Sequence, residues 1–190
     1  ITESYNGTNW TEVNDLNTAR RQLKGAGATN TAALAFGGES PGVENEAITE
    51  TWNGTNWTEV NNLNTGRYNM GSAGATNTAA LAFGGAGDPS LAVTETWNGT
   101  NWTEVNDLNT ARFALGGAGT NTAALGFGGS VPPNSALTEL WNGTNWTEVN
   151  DLNTARSYLG GAGTQTSALG FGGSPPPAGA LTESWNGTNW

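Results

Sequence analysis

Four arginines recur at a regular interval along this chain: Arg20, Arg67, Arg112 and Arg156. A ring of guanidinium groups could hold an acidic ligand. The same groups could instead bond loop carbonyls or a carboxylate of their own unit, such as Asp107, and that structural role is the expected one. Glu12, Glu59, Glu104 and Glu148 recur in the same way, with Asp15, Asp107 and Asp151. Calcium would need about six to eight oxygen ligands, and no EF-hand or RTX spacing is present. Solvated strand faces and turn caps are the roles expected of these carboxylates. A carboxylate pair roughly 5–10 Å apart could cleave a glycosidic bond. Such a pair should be singular in an asymmetric cleft, whereas every carboxylate before the variable loops recurs in each unit. The chain has no Cys and no His. Thiolate and imidazole chemistry is therefore excluded, and with it zinc sites, Ser-His nucleophile systems and most transition-metal redox sites. The expectation is a protein that is not an enzyme and uses no metal or cofactor.

Two further motifs carry chemistry. The segment Asn-Gly-Thr-Asn-Trp occurs five times, at residues 6–10, 53–57, 98–102, 142–146 and 186–190. Its tryptophans could stack on sugars, but a Trp at a fixed repeat position more often packs in a core. Asn-Gly-Thr and Asn-Trp-Thr are also N-glycosylation sequons, at Asn6, Asn9, Asn53, Asn56, Asn98, Asn101, Asn142, Asn145 and Asn186. The alternative is turn chemistry, because Asn-Gly suits a tight hairpin.

The elements that position these residues follow from the period. Trp10, Trp57, Trp102, Trp146 and Trp190 are 47, 45, 44 and 44 residues apart. Such a period marks an array of supersecondary units, none of which can bury its apolar face alone. In the third unit, Thr94–Trp97 alternates polar and apolar residues and predicts a half-buried strand. Asn98-Gly99 predicts a type I′ turn, and Asn101–Val105 the returning strand. The loop could hold two residues or four, which changes the residue facing Trp97. After a turn-rich stretch, Leu115–Gly119 predicts a strand of small residues, as needed where neighbouring backbones converge near an axis. Ala123–Phe127 predicts a strand buried on both faces, and Gly128-Gly129 ends it. Four short strands per unit, in a meander without helical period, predict β-propeller blades over a parallel β-helix, whose coils are shorter.

The order of features resembles kelch repeats. These carry Gly-Gly after the second strand, an aromatic in the third, Trp at the start of the fourth and Arg at its end. Gly37-Gly38, Trp52, Trp57 and Arg67 match that order, as do Gly84-Gly85, Trp97, Trp102 and Arg112, and Gly128-Gly129, Trp141, Trp146 and Arg156. The departures are Trp where kelch has Tyr (Tyr5 excepted) and an aromatic-to-Trp gap one residue short. The resemblance implies an all-β fold of kelch-type blades, each of four antiparallel strands. It implies little about function, because such propellers host enzymes and binding scaffolds alike. In style, the near-identical units are also similar to repeat proteins of environmental bacteriophages, whose arrays belong to tail fibres or other virion surface parts. The units fall at about 2–48, 49–93, 94–137 and 138–181, with a partial unit at 182–190: four complete repeats plus a duplicated hairpin in one repeat domain. No signal peptide or initiator Met is visible, and the chain opens mid-repeat at Ile1. The expectation is a processed segment of a longer array, either a larger propeller or a row of units in a fibre.

Few Leu, Ile, Val and Phe and a net charge of −10 would by themselves suggest disorder. The nine Trp and the strict period overrule that. An acidic chain repels phosphate backbones, so nucleic acid is not expected as a partner. The apolar runs span about six residues, far short of the about 20 that cross a membrane. Comparison of the units shows two variable segments. One follows the Arg (21–24, 68–71, 113–116, 157–160) and the other the double Gly (39–47, 86–92, 130–136, 174–180). In a meander these two connections lie at one end and the constant turns at the other. Variable loops on a rigid scaffold are where specificity usually sits, although drift in unconstrained loops gives the same pattern. The candidate binding face is Arg21, Gln22, Tyr68, Asn69, Met70, Phe113, Ser157 and Tyr158 beside the Pro-containing loops, with Val131-Pro132-Pro133 and Pro175-Pro176-Pro177 pre-ordered by proline. The constant face suits self-association or glycan decoration. The expected function is a non-enzymatic structural or adhesive array on a virion or cell exterior, whose partners are copies of itself, other structural proteins or cell-surface glycans. The alternative is a carbohydrate-binding, lectin-like propeller.

Overall fold

Strand-forming segments separated by turns account for nearly the whole chain, and the computed structural model, which describes residues 1–87, 89–175 and 178–190, contains only a three-residue 3-10 turn, Ala178–Ala180, besides strands. A hairpin, β1 (Thr2–Tyr5) with β2 (Trp10–Val13), comes first. Three four-stranded antiparallel meanders follow. They are β3 (Lys24–Thr29), β4 (Ala32–Phe36), β5 (Thr49–Trp52) and β6 (Trp57–Val60); β7 (Gly71–Thr76), β8 (Ala79–Gly85), β9 (Leu91–Trp97) and β10 (Trp102–Val105); and β11 (Gly116–Gly119), β12 (Ala124–Phe127), β13 (Thr138–Trp141) and β14 (Trp146–Val149). A three-stranded sheet ends the series: β15 (Gly160–Thr164), β16 (Ser167–Phe171) and β17 (Thr182–Trp185). These are the four blades of an all-β propeller arrangement. Each blade starts at its Gly-rich strand, so a unit cut at Thr94 gives its first two strands to one blade and its last two to the next.

The Gly-rich strands β3, β7, β11 and β15 touch in succession, whereas no comparable contact joins β15 back to β3 among the described residues. Their composition is a requirement of that approach. A Cβ on Gly117 would run into the Ser72 carbonyl oxygen, and one on Gly74 would lie 2.9 Å from Ala26 Cβ. The second strand is buried on both faces in β8 and β12, as the unbroken apolar run predicts. In β16 alternate residues are exposed instead.

The register gives the hairpin loop four residues. Trp52 faces Trp57 and Trp97 faces Trp102 across the ladder, with ring centroids 5.5 and 5.4 Å apart. Of the two loop lengths the sequence allows, the four-residue one is therefore found, and the type I′ turn at Asn98-Gly99 is not. Gly99 takes positive φ (+93°), but the Asn98 backbone does not. Asn98 acts through its side chain instead: Oδ1 accepts the N–H groups of Thr100 and Asn101, each at 2.9 Å.

The core is one repeated knob and socket. Leu34 and Phe36 of one blade insert among Leu63, Met70, Ala80, Trp97 and Trp102 of the next. Leu81 and Phe83 insert likewise among Leu108, Leu115, Ala124, Trp141 and Trp146. Packing is therefore the role of the recurring tryptophans in the inner blades.

Candidate functional site

The two variable segments meet at one end of the blades. Tyr68 bridges Ala86, Phe113 bridges Ser130 and Ser157 bridges Ser174, while Arg21 bridges Glu39. Beneath them runs a chain of backbone bonds from blade to blade. The Asn69 N–H donates to the Gln22 carbonyl (3.1 Å), Ala114 N–H to that of Asn69 (2.6 Å) and Tyr158 N–H to that of Ala114 (2.8 Å). Gln22, Asn69, Ala114 and Tyr158 all hold positive φ, 50–57°. For Ala and Tyr this conformation is uncommon, and the inter-blade bond holds it in place.

Six of the eight expected face residues lie at this end with side chains at least partly accessible. Arg21 and Gln22 are exposed, Tyr68, Asn69 and Phe113 half-buried, and Tyr158 is 60% exposed. Phe113 and Tyr158 meet edge to face, with centroids 6.5 Å apart. Two expectations are corrected. Met70 is fully buried in the core. Its counterparts Leu23, Leu115 and Leu159 are all apolar, a signal that it belongs to a socket. Ser157 is also buried, and its hydroxyl donates to Asn134 Oδ1 at 3.0 Å. At the same position Arg21, Tyr68 and Phe113 are too long to turn inward. Of the Pro-rich loops, Pro176 and Pro177 lie outside the described residues.

A concavity at this end opens between the first two complete blades. Arg21, Glu39, Ser40, Val43, Glu44 and Tyr68 line it. Arg21 Nε donates to Glu39 Oε2 at 2.8 Å. Burial, followed by the nearby carboxylates Glu39 and Glu44, pushes the Tyr68 phenol above its ordinary pKa. The groove thus offers a neutral phenol with an aromatic face, a guanidinium and carboxylates together.

The recurring arginines sit inside the blades. Arg67, Arg112 and Arg156 are buried and pair with Glu95, Glu139 and Glu183 of the third strand, and Arg20 pairs with Glu50. A structural role is thus right and the proposed carboxylate, Asp107, is not. Asp107 instead accepts the N–H of Thr94, in the middle of β9, at 3.1 Å. The sequence signal for the partner is the Glu of the Thr-Glu-x-aromatic strand, buried at Glu50, Glu95 and Glu139, whereas the residue opposite on the outer strand, such as Glu104 opposite Glu95, is exposed.

One of these pairs gives a pH prediction. Burial alone would raise the Glu50 pKa. The Asn17 backbone N–H, the Arg20 guanidinium and the Asn17 amide outweigh it and hold the carboxyl below its ordinary value. A depressed folded pKa adds stability that is complete above the unfolded value of about 4.3 and is lost as pH falls through the folded one. The melting temperature is expected to fall across that acid range, and to fall less in Glu50→Gln.

All nine sequon asparagines are exposed, on the hairpin turns at the end opposite the variable loops. In the inner turns the first Asn braces its own loop. The second receives an amide from the adjacent blade, as Asn101 does from Asn61 at 2.7 Å. A comparison with protein-family models and with curated proteins finds no match for this chain.

Proposed function

We propose that the chain is a non-enzymatic structural and adhesive repeat array that presents its variable end to a partner. The observation that carries this reading is the separation of variable from constant. The side chains that differ between units, Arg21, Gln22, Tyr68, Asn69, Phe113 and Tyr158, gather at one end over an unvarying ladder of inter-blade bonds. The blade order Gly-Gly, Trp, Trp, Arg supports a kelch-like assignment. The near-identity of the units supports a place on a virion or cell exterior, with copies of the chain, other structural proteins or surface glycans as partners. Exposed Tyr and Phe supply large contact area at low entropy cost.

A second reading, a lectin-like propeller, draws on the groove at Tyr68, where an aromatic face stands among Arg21, Glu39 and Glu44. Stacking plus charged hydrogen-bonding groups is a chemistry suited to sugars.

Both readings are tested by labelled chain on a glycan array and on bacterial cells. Tyr68→Ala or Tyr158→Ala is expected to weaken attachment about tenfold, as loss of a hot-spot aromatic of about 1.4 kcal/mol would, with melting unchanged. Saturable binding competed by free sugar selects the lectin. If the tyrosine variants bind normally while changes in the Asn-Gly turns abolish attachment, the working face is the opposite one.

A further inference from the structure

Among the described residues, the knob and socket that join neighbouring blades are each present once without a partner. Leu34, Leu81 and Leu125 and Phe36, Phe83 and Phe127 are knobs, at most 1% exposed. Their counterparts in the last blade, Leu169 and Phe171, are 45% and 43% exposed. Each inner Phe also meets a Trp of the next blade: Phe36–Trp102, Phe83–Trp146 and Phe127–Trp190, with centroids 4.8–4.9 Å apart. No such ring lies against Phe171 among the described residues.

At the other end of the row stands an open apolar groove. Leu16, Leu23, Ala33, Ala35 and Trp57 line it. These are the counterparts of Leu63, Met70, Ala80, Ala82 and Trp102, the residues that receive Leu34 and Phe36. The groove therefore has the apolar residue types of the filled sockets at the same repeat positions, and Lys24 lines it as well, where the later blades have Gly71, Gly116 and Gly160. Its outer part is covered by β1–β2, where Trp57 Nε1 donates to Thr2 Oγ1 (3.3 Å), just as Trp102 does to Thr49 (3.0 Å) and Trp146 to Thr94 (3.0 Å). The missing part is the inner two strands of a blade, which carry the knob.

We propose that a second copy of this chain fills the groove head to tail, with Leu169 and Phe171 of its last blade entering the Leu16–Leu23–Trp57 socket. The inter-blade rotation is set by three repeats of one interface, each with its backbone bond and its Asn clamp, and among the described residues β15 makes no contact with β3 comparable to those between successive blades. Each copy of the chain carries both halves of this interface, so a second copy offers the complementary surface. The same geometry puts two hairpins in competition for one place, because Thr2–Tyr5 and Thr182–Trp185 are the same third strand. We assign that place to β1–β2, which brings a fourth strand, Trp10–Val13, with the third. The composite blade is then β15–β16 of one copy with β1–β2 of the other. Trp10, 66% exposed here, takes the position of Trp190 over Phe127, and Glu3 that of Glu183 beside Arg156. Such a contact is heterologous, so it propagates into rings or fibres. The inference deepens the structural half of the proposed function and is independent of whether the variable end binds a ligand.

Sedimentation velocity of the 190-residue chain over a range of concentrations tests it. The wild type is expected to form oligomers that grow with concentration. Phe171→Asp removes the knob at an exposed position, and Ala33→Glu obstructs the socket; Leu16→Asp serves if Ala33→Glu does not fold. Each variant alone is expected to be monomeric, and an equimolar mixture of a knob variant and a socket variant to form dimers and nothing larger. A wild type that is monomeric throughout, whether closed on itself or open, overturns the proposal. So does a Phe171→Asp chain that still associates, or a mixture that yields no dimer. Unchanged association in Tyr68→Ala keeps this test separate from that of the ligand face.

Discussion

Trp102→Ala is expected to destabilise the array by about 3–5 kcal/mol, the cost of deleting a large core aromatic. Trp102 opens the outer strand of its blade yet is only 5% exposed. It packs on Trp97 of its own blade and Phe36 of the preceding one, with centroids 5.4 and 4.9 Å away, and its Nε1–H reaches Thr49 across the same boundary. One truncation therefore empties a socket, loosens a knob and leaves the Thr49 hydroxyl without its donor. In a row of units, stability is approximately a sum of unit and boundary terms. Loss of one boundary should split urea unfolding into separate phases for the two sides as well as lower its midpoint. Trp10→Ala, measured in dilute chain below its association range, is the control: the same repeat position, 66% exposed, with an expected change within about 0.5 kcal/mol. Equal midpoints for the two variants would mean that the boundary aromatics do not hold the blades together.

That contrast also shows what a sequence of repeats can and cannot disclose. Periodicity, the all-β class, the Gly-rich inner strand and the shared end of the variable segments were all legible, because each follows from local pattern and from the parity of a meander. Identical residues at Trp10 and Trp102 have different environments, however, and only the position in the row decides which. The hairpin loop was ambiguous for a local reason: Asn-Gly suits a two-residue turn by backbone and a four-residue turn by side chain, and the cross-strand pairing of two tryptophans selects the latter. Met70 is buried although its position varies, because a change from Leu to Met varies the sequence while conserving volume and apolarity. Ser157 is buried where its counterparts in the other units are long, because a small residue can bury where a long one cannot. The Arg–Glu pairs were hidden because the partner lies 27–30 residues away, reached only once strand register is known.

Those pairs carry the second large effect. Arg67 and Glu95 side chains are both fully buried. The guanidinium bonds Glu95 Oε1, the Thr65 carbonyl (2.9 Å) and the Ala82 carbonyl (3.2 Å), and Glu95 Oε2 accepts the Asn64 backbone and side-chain amides at 2.7 and 2.8 Å. Burial lowers the Arg67 pKa, with Glu95 opposing, yet an arginine remains charged at neutral pH. Glu95→Ala thus strands a cation inside the blade and orphans the linker at Asn64, at an expected cost of about 3–5 kcal/mol. The double variant Arg67→Met, Glu95→Leu removes both charges while keeping volume, and is expected to recover much of that loss, because the pair's own desolvation offsets most of its attraction. Denaturant melts of the two single variants and the double give the coupling directly. If the double variant is no more stable than Glu95→Ala, the contribution lies in the carbonyl and Asn64 bonds, and the role of the pair is to fix the linker between blades. Glu183→Ala, whose carboxylate is 11% exposed and whose blade, among the described residues, has Leu169 and Phe171 uncovered on one face, is then expected to cost less than Glu95→Ala, because water can reach the stranded Arg156 from the open side.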